Sequence, residues 1–262
     1  MWLLILFNLA GKVAALLVVR AAPVTALALW FGPDLLLAYH VFVPRAQGLV
    51  RTHLRFTTPR REVWLTIDDG PDPEDTPRII ELLAAHGAQA TFFVIGDKAA
   101  RHPDLVRAVA AAGHEVALHT QTHPAASFWC ASPARVRREL DAGLETLRLA
   151  GVRPTRFRPP AGIKNLWLAS ALRVRGLACI GWSARGLERR RGDAAAVASR
   201  VLRKLAPGAI LLLHESPRVP LPIRVTAIRR VLERLSQQGY RCIVPGREQL
   251  AGHQGCPRMH SG

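Results

Sequence analysis

Between Glu62 and Val244 the chain repeats one pattern: a short apolar run, then a longer stretch with apolar residues every three or four positions. The short runs are Val63–Ile67, Ala90–Ile95, Glu115–His119, Thr155–Arg158, Ala178–Trp182, Ala209–His214 and Arg241–Val244. Runs of this length, bounded by turn-forming residues, predict strands. The stretches between them predict helices with marked ends. Thr76-Pro77 reads as an N-cap followed by proline in the first turn, and Gly87 closes that segment. Pro103 to Ala112 ends at Gly113. Ser132-Pro133 opens a helix with Val136, Leu140, Leu144 and Leu147 on one face and Gly151 after it. Asp193 opens another that runs toward Leu205 and stops at Pro207-Gly208. Seven strands alternating with helices predict a mostly parallel α/β sheet with helical crossovers, open or closed into a barrel.

The first 43 residues follow a different rule, with two apolar stretches broken by Lys12, Arg20, Pro23 and Asp34. A secretory signal would place its basic residues before the apolar core and end at a small-residue cleavage site. This segment does neither, and the apolar character runs longer. It predicts a membrane anchor, either one span near Val24–Val43 or two spans, which would be tight at about 20 residues each. Arg45, Arg51, Arg55, Arg60 and Arg61 follow. By the positive-inside tendency that flank is expected in the cytoplasm, and the anchor in the inner (cytoplasmic) membrane. The expected organisation is an anchor at 1–45, a basic linker at 46–61, an α/β domain at 62–246 and a tail at 247–262.

Composition sharpens this only in part. With 262 residues, 49% hydrophobic and 21% charged, the chain is globular or membrane-associated and not disordered. Its formal net charge of +17 comes mainly from scattered arginines. Helix-turn-helix, zinc-finger and aromatic RNA-binding signatures are absent, so nucleic acid is not expected as a partner. An anionic membrane surface or a phosphate-bearing substrate suits the charge better. Cys130, Cys179, Cys242 and Cys256 form no metal-knuckle or disulfide pattern and read as plain thiols.

In parallel α/β sheets, ligands gather at the carboxyl ends of the strands. Asp68 and Asp69 end the first run, His119 the third, Arg158 the fourth, Trp182 the fifth and His214 the sixth. Adjacent carboxylates repel, so a cation is expected beside them. "LHTQTHP" supplies two imidazoles, His119 and His123, separated by a turn. One carboxylate with two imidazoles can hold a divalent metal and leave positions open for water and substrate. On this reading one of Asp68 and Asp69 binds the metal, and the other takes the proton of an attacking water.

"TIDDGP" (66–71), "HTQTH" (119–123), "RFRPPAG" (156–162) and "ILLLHE" (210–215) stand in the order and spacing of the polysaccharide deacetylase motifs. The chain from about Arg61 to Val244 resembles that family, the NodB-like enzymes of carbohydrate esterase family four. The resemblance implies a distorted (β/α) barrel of about seven parallel strands and metal-dependent hydrolysis of an N-acetyl or N-formyl group on an amino sugar. It implies Asp68 as base, Asp69, His119 and His123 as ligands of a divalent metal, expected to be zinc, Arg158 as the group orienting the base, and His214 as acid. Leu212 would line the acyl pocket, with Pro160, Ala161 and Trp182 as further substrate-contacting positions. The Ala161 N–H would help hold the oxyanion. Given the anchor and the arginines, an envelope glycan or lipid-linked sugar is expected over soluble chitin.

Two departures stand out. Ala161 occupies a position where many relatives carry an aromatic residue. The fourth motif's Asp, which tunes the acid histidine, has no counterpart near Arg185 in "GWSARGLERRRGD", where Glu188 and Asp193 are the nearby acids. That second departure supports one alternative, a catalytically weakened, membrane-tethered glycan-binding protein of the same fold.

Overall fold

Each predicted run forms a strand in the structure, a computed structural model that describes residues 2–188, 193–215 and 221–251. The strands are β1 (Thr52–His53), β2 (Glu62–Gly70), β3 (Ala90–Val94), β4 (Glu115–Leu118), β5 (Arg156–Phe157), β6 (Ala178–Ile180), β7 (Ala184–Arg185), β8 (Ile210–His214) and β9 (Arg241–Cys242). The helices are α1 (Trp2–Val18), α2 (Pro23–Phe42), α3 (Asp75–Ala85), α4 (Gly96–Arg101), α5 (Pro103–Ala111), α6 (Pro133–Leu149), α7 (Leu168–Val174), α8 (Ala194–Leu202), α9 (Leu221–Gln237) and α10 (Arg247–Ala251). Every ladder is parallel, in the order β1-β6-β5-β4-β3-β2-β8-β7, with β9 beside the start of β2. The sheet curls but, among the described residues, β1 and β7 do not pair, so it is a half-barrel with one open side.

Alternation along the strands divides the core. Val63, Leu65, Ile67, Leu211 and Leu213 face the helices. Trp64, Phe93, Ala117, Ile180 and Ile210 cluster on the concave side, where Phe56 and Leu250 join them. Both plugs are tied down: Phe56 donates to Gly208 O at 3.0 Å, and Thr57 donates to Gln249 O at 2.8 Å. These contacts lie at the amino ends of the strands, which leaves the carboxyl rim as the open face. Residues 247–251, expected in the tail, are thus a packed helix.

Two predicted helix ends differ in detail. Helix α3 starts at Asp75, so Thr76 lies inside its first turn, where its buried hydroxyl donates to Glu215 Oε2 at 2.5 Å. Asp193 caps α8 through Ala196 N at 2.9 Å, and that helix ends at Leu202. Cys130, Cys179 and Cys242 are free thiols, whereas Cys256 lies outside the described residues.

The N-terminal segment is a helical hairpin with its turn at residues 19–22. A Cβ on Gly11 would lie 2.8 Å from both Leu29 O and Pro33 Cγ, so glycine permits the close approach of α1 and α2. Lys12 Nζ meets Asp34 Oδ2 at 2.7 Å, and Asn8 donates to the other oxygen. Outward stand Leu6, Phe7, Leu16, Leu17, Val24, Leu27, Phe31 and Leu35, all exposed. Among the described residues, α2 alone is long and apolar enough to cross a membrane, and the apolar stretch Ile5–Val18 of α1 is shorter.

The hairpin ends on the carboxyl rim. Lys164 N donates to Val41 O at 3.0 Å, and its buried ammonium donates to Val43 O at 3.1 Å and Pro44 O at 2.7 Å. The Phe42 and Trp129 rings lie 5.7 Å apart.

Candidate active site

Strand alternation would send Asp68 and Asp69 to opposite faces. The backbone at Asp69 turns left-handed (φ 72°), and the β2–β3 register shifts between Asp68 and Gly70. This local irregularity turns the second carboxylate to the same rim as the first. Lys98 Nζ holds the Asp69 carbonyl at 2.6 Å. Gly70 is required behind it, because a Cβ there would fall 1.7 Å from Glu215 Oε1. Burial, opposed chiefly by the Thr76 hydrogen bond, pushes the Glu215 carboxyl up to about 8.

His119 follows β4, and its Nδ1 lies 2.7 Å from Arg158 O. A carbonyl only accepts, so Nδ1 carries the proton and Nε2 keeps a lone pair for a metal. The next turn runs through left-handed Thr120 (φ 63°) to left-handed His123 (φ 53°). Glu139 of α6 clamps it: Oε2 accepts from Gln121 N at 3.0 Å and Thr122 N at 2.9 Å, and Oε1 accepts the Thr122 hydroxyl at 2.7 Å.

Asp69 Oδ1 lies 3.5 Å from His119 Nε2 and 3.4 Å from His123 Nε2. The three ligating atoms all fall within 4.8 Å of one another. Ligands about 2.0–2.1 Å from a shared ion at tetrahedral angles sit roughly 3.4 Å apart, so the donor set fits a small divalent metal. Burial works to raise the Asp69 carboxyl, but with the imidazoles protonated the hydrogen bond and charge of His119, with the charges of His214 and His123, hold it well below the usual carboxylate range; with His119 as a neutral ligand, the ion would supply that positive charge.

Asp68 is buried beside this set, its Oδ2 3.7 Å from His119 Nε2. Its other oxygen accepts from Arg158 Nη1. The Arg158 guanidinium is fully buried and held by Ile180 O at 3.1 Å, Gly181 O at 2.8 Å and Thr66 Oγ1 at 2.9 Å. It lies over the Phe93 ring at 4.1 Å. With four of its five N–H donors engaged, its orientation is fixed.

His214 pairs in register with Asp68 across β2–β8. The acid beside it is Glu188, not a residue at position 185. Glu188 Oε2 is 3.1 Å from His214 Nδ1, and Oε1 accepts from His214 N at 3.0 Å. A left-handed Leu187 (φ 57°) turns the chain so that Glu188 points back to the rim. Burial would lower the imidazole, but the Glu188 hydrogen bond and the charges of Glu188, Asp68 and Asp69 raise it to about 9. Asp193 is occupied as a helix cap, so the alternative built on a missing partner for His214 loses its support.

The substrate-side positions also meet at this rim. Pro160 is buried, and Ala161 is exposed and left-handed (φ 53°); among the described residues no acceptor takes its N–H. Trp182 is half-buried, its ring centroid 5.7 Å from Arg158 Cζ, and buried Leu212 pairs in register with Thr66. The supports provided by Lys98, Thr66, Glu139 and Glu215 were not read from the sequence. Glu139 had a visible signal: a carboxylate three residues after Val136 on the apolar face of its helix.

Residues 55–179 match the family profile of polysaccharide deacetylases. Over 157 residues the chain is 40% identical to a chitooligosaccharide deacetylase of Bradyrhizobium sp., covering 59% of this chain and 71% of that one. The chain belongs to the polysaccharide deacetylase family. A peptidoglycan-N-acetylglucosamine deacetylase of Bacillus cereus is 33% identical over 189 residues, which cover 70% of this chain and 66% of that one. Among solved structures, the family 4 carbohydrate esterase from Streptomyces lividans in complex with acetate superposes with a TM-score of 0.65 at 29% identity, covering 72% of this chain and 95% of that one. Enzymes of this family hydrolyse linear amide C–N bonds, and the half-barrel described above matches their fold.

Proposed function

We propose that the protein is a membrane-anchored, metal-dependent hydrolase that removes the N-acyl group of an amino sugar. The substrate class follows from its relatives, which are named for chitooligosaccharides and for peptidoglycan N-acetylglucosamine. The observation that carries the reading is that one rim holds a three-donor metal set, a buried carboxylate and an imidazole with its own acid. A binding protein needs none of the last three in combination.

Asp69, His119 and His123 would hold the metal, zinc by preference from the donor set, and when bound it polarises the amide carbonyl and acidifies a water. Asp68 accepts the proton of the attacking water, with Arg158 fixing the orientation of its carboxylate. The Ala161 N–H is the protein donor for the developing oxyanion. His214, charged at neutral pH, gives its proton to the departing amine, and Glu188 keeps the imidazole upright and charged. Leu212 closes the acyl side of the pocket, and Pro160 holds Ala161 in place. The anchor is the α1–α2 hairpin, whose outward apolar residues and 20-residue second helix suit a bilayer.

The decisive measurement is acetate release from N-acetylated chitooligosaccharides by the metal-loaded protein. Asp68→Asn should lower kcat by about 10²- to 10⁴-fold with metal content unchanged, and a chelator should abolish turnover. Full activity in Asp68→Asn would refute the role of the base, and chelator-resistant turnover would refute the metal.

A further inference from the structure

Among the described residues, Arg185 is a cation at the rim to which the reaction gives no part. Arg185 pairs in register with Leu212, and Leu212 with Thr66. Partners in a parallel ladder point to the same face, and the Thr66 hydroxyl meets Arg158 on the concave side. Arg185 therefore stands on the concave face, at the open edge of the half-barrel. It is exposed, and among the described residues no carboxylate lies within ion-pair reach of it. Its guanidinium lies 5.8 Å from the centroid of the Trp182 ring.

Trp182 links three parts of the molecule. Inward it meets Arg158, which holds Asp68. Outward it meets Arg185. At its edge lies Gly162, where a Cβ would fall 2.6 Å from Trp182 Cη2 and 2.8 Å from Pro44 Cβ. Pro44 stands just past Phe42, the last residue of the hairpin. The Trp182 ring thus joins the arginine that holds the buried carboxylate, the exposed guanidinium of Arg185 and the segment where the apolar hairpin leaves the domain. A ligand spanning these three neighbours of the ring would present an amide, an anion and an apolar chain.

We propose that the substrate is an N-acylated amino sugar joined through a phosphate to a membrane lipid, with Arg185 as the phosphate receptor. A guanidinium matches phosphate with paired donors, and its stacking on Trp182 pre-orients it. The net charge of +17 adds attraction to an anionic membrane surface. This inference rests on the amidohydrolase and anchor reading for the orientation of the sugar, but its binding test does not require turnover.

The test is equilibrium binding to the full chain in neutral-lipid nanodiscs with three ligands: a polyprenyl-phosphate N-acetylglucosamine, water-soluble N-acetylglucosamine 1-phosphate and uncharged triacetylchitotriose. The lipid phosphate should bind at least tenfold more tightly than the trisaccharide. Arg185→Gln should lower that ratio several-fold and leave the part contributed by the lipid, and Arg185→Lys should retain more of it, with melting temperature and metal content checked in both. A ratio equal in wild type and Arg185→Gln would overturn the phosphate receptor. Soluble sugar phosphate binding as tightly as the lipid-linked form would overturn the lipid. Deacylation of all three ligands, followed in the same samples, is a separate readout: its absence from every one would refute the hydrolase while the binding ratios still decided the subsite.

Discussion

The hairpin and the half-barrel use the same residue types turned inside out. Leu17 and Val24 of the hairpin are each 80% exposed, whereas Leu211 of β8 and Leu65 of β2 are fully buried. Their polar pairs are reversed as well. Lys12–Asp34 keeps side-chain exposures of 29% and 46%, while Arg158–Asp68 keeps 0% and 4%. The domain turns its leucines away from water and encloses its ions where they act. The hairpin offers its leucines outward, which is a stable arrangement only in a solvent that accepts them. Hydrophobic pattern alone therefore does not define an interior; the medium facing each side does.

The apolar half of this contrast gives the largest predicted effect. Leu211→Asp should cost more than about 4 kcal/mol and leave no cooperative melt, since it puts an unpaired charge inside the sheet. Leu17→Asp should change the melting of the domain in detergent by no more than about 0.5 kcal/mol. On the proposed anchor it should still weaken membrane association, by less than the about 2.5–3.5 kcal/mol that an aspartate costs at the centre of a span, since Leu17 lies next to the end of α1. If both variants melted alike, the hairpin would be part of the core after all.

At the seam between the regions, Lys164→Met would leave the Val43 and Pro44 carbonyls without their donor. The expected loss is about 1–3 kcal/mol, read as faster hydrogen exchange in residues 41–46 with the sheet unaffected.

The smallest effect separates the two kinds of polar pair. His214 can act as an acid only while protonated, so activity should fall as pH rises through about 9. The sign for stability is the same. A raised imidazole contributes fully below its ordinary 6.5, and the contribution is lost as pH climbs through about 9. Glu188→Gln removes the charge that outweighs burial, so the alkaline limb of the pH–rate profile should move down by about one unit or more. Asp34→Asn, in the hairpin, should leave that limb where it is.

Much of this was legible before any coordinates. The seven apolar runs became strands, and the polar residues closing them met at one rim, because alternating βα units place every carboxyl end on the same side. What pattern could not supply was local backbone geometry. Alternation alone separates Asp68 from Asp69, and only a left-handed residue with a register shift reunites them. Glu188 was one of two candidate acids, and a left-handed Leu187 decided between them. Strands β1 and β7, the two ends of the sheet path, lie outside the seven runs, and nothing in the sequence marked them. The hairpin was legible as apolar, with one span or two left open, and the close approach of α1 and α2 at Gly11 was not visible in the pattern.

At the proposed metal site, the clamp that Glu139 places on the backbone of Gln121 and Thr122 would separate metal capture from folding. The conformational entropy of the segment between the two histidines is lost when α6 packs on the sheet, with or without an ion. Stripping the metal should therefore leave a shaped, reloadable cradle rather than a collapsed loop, and the affinity of the site should not carry the cost of ordering it.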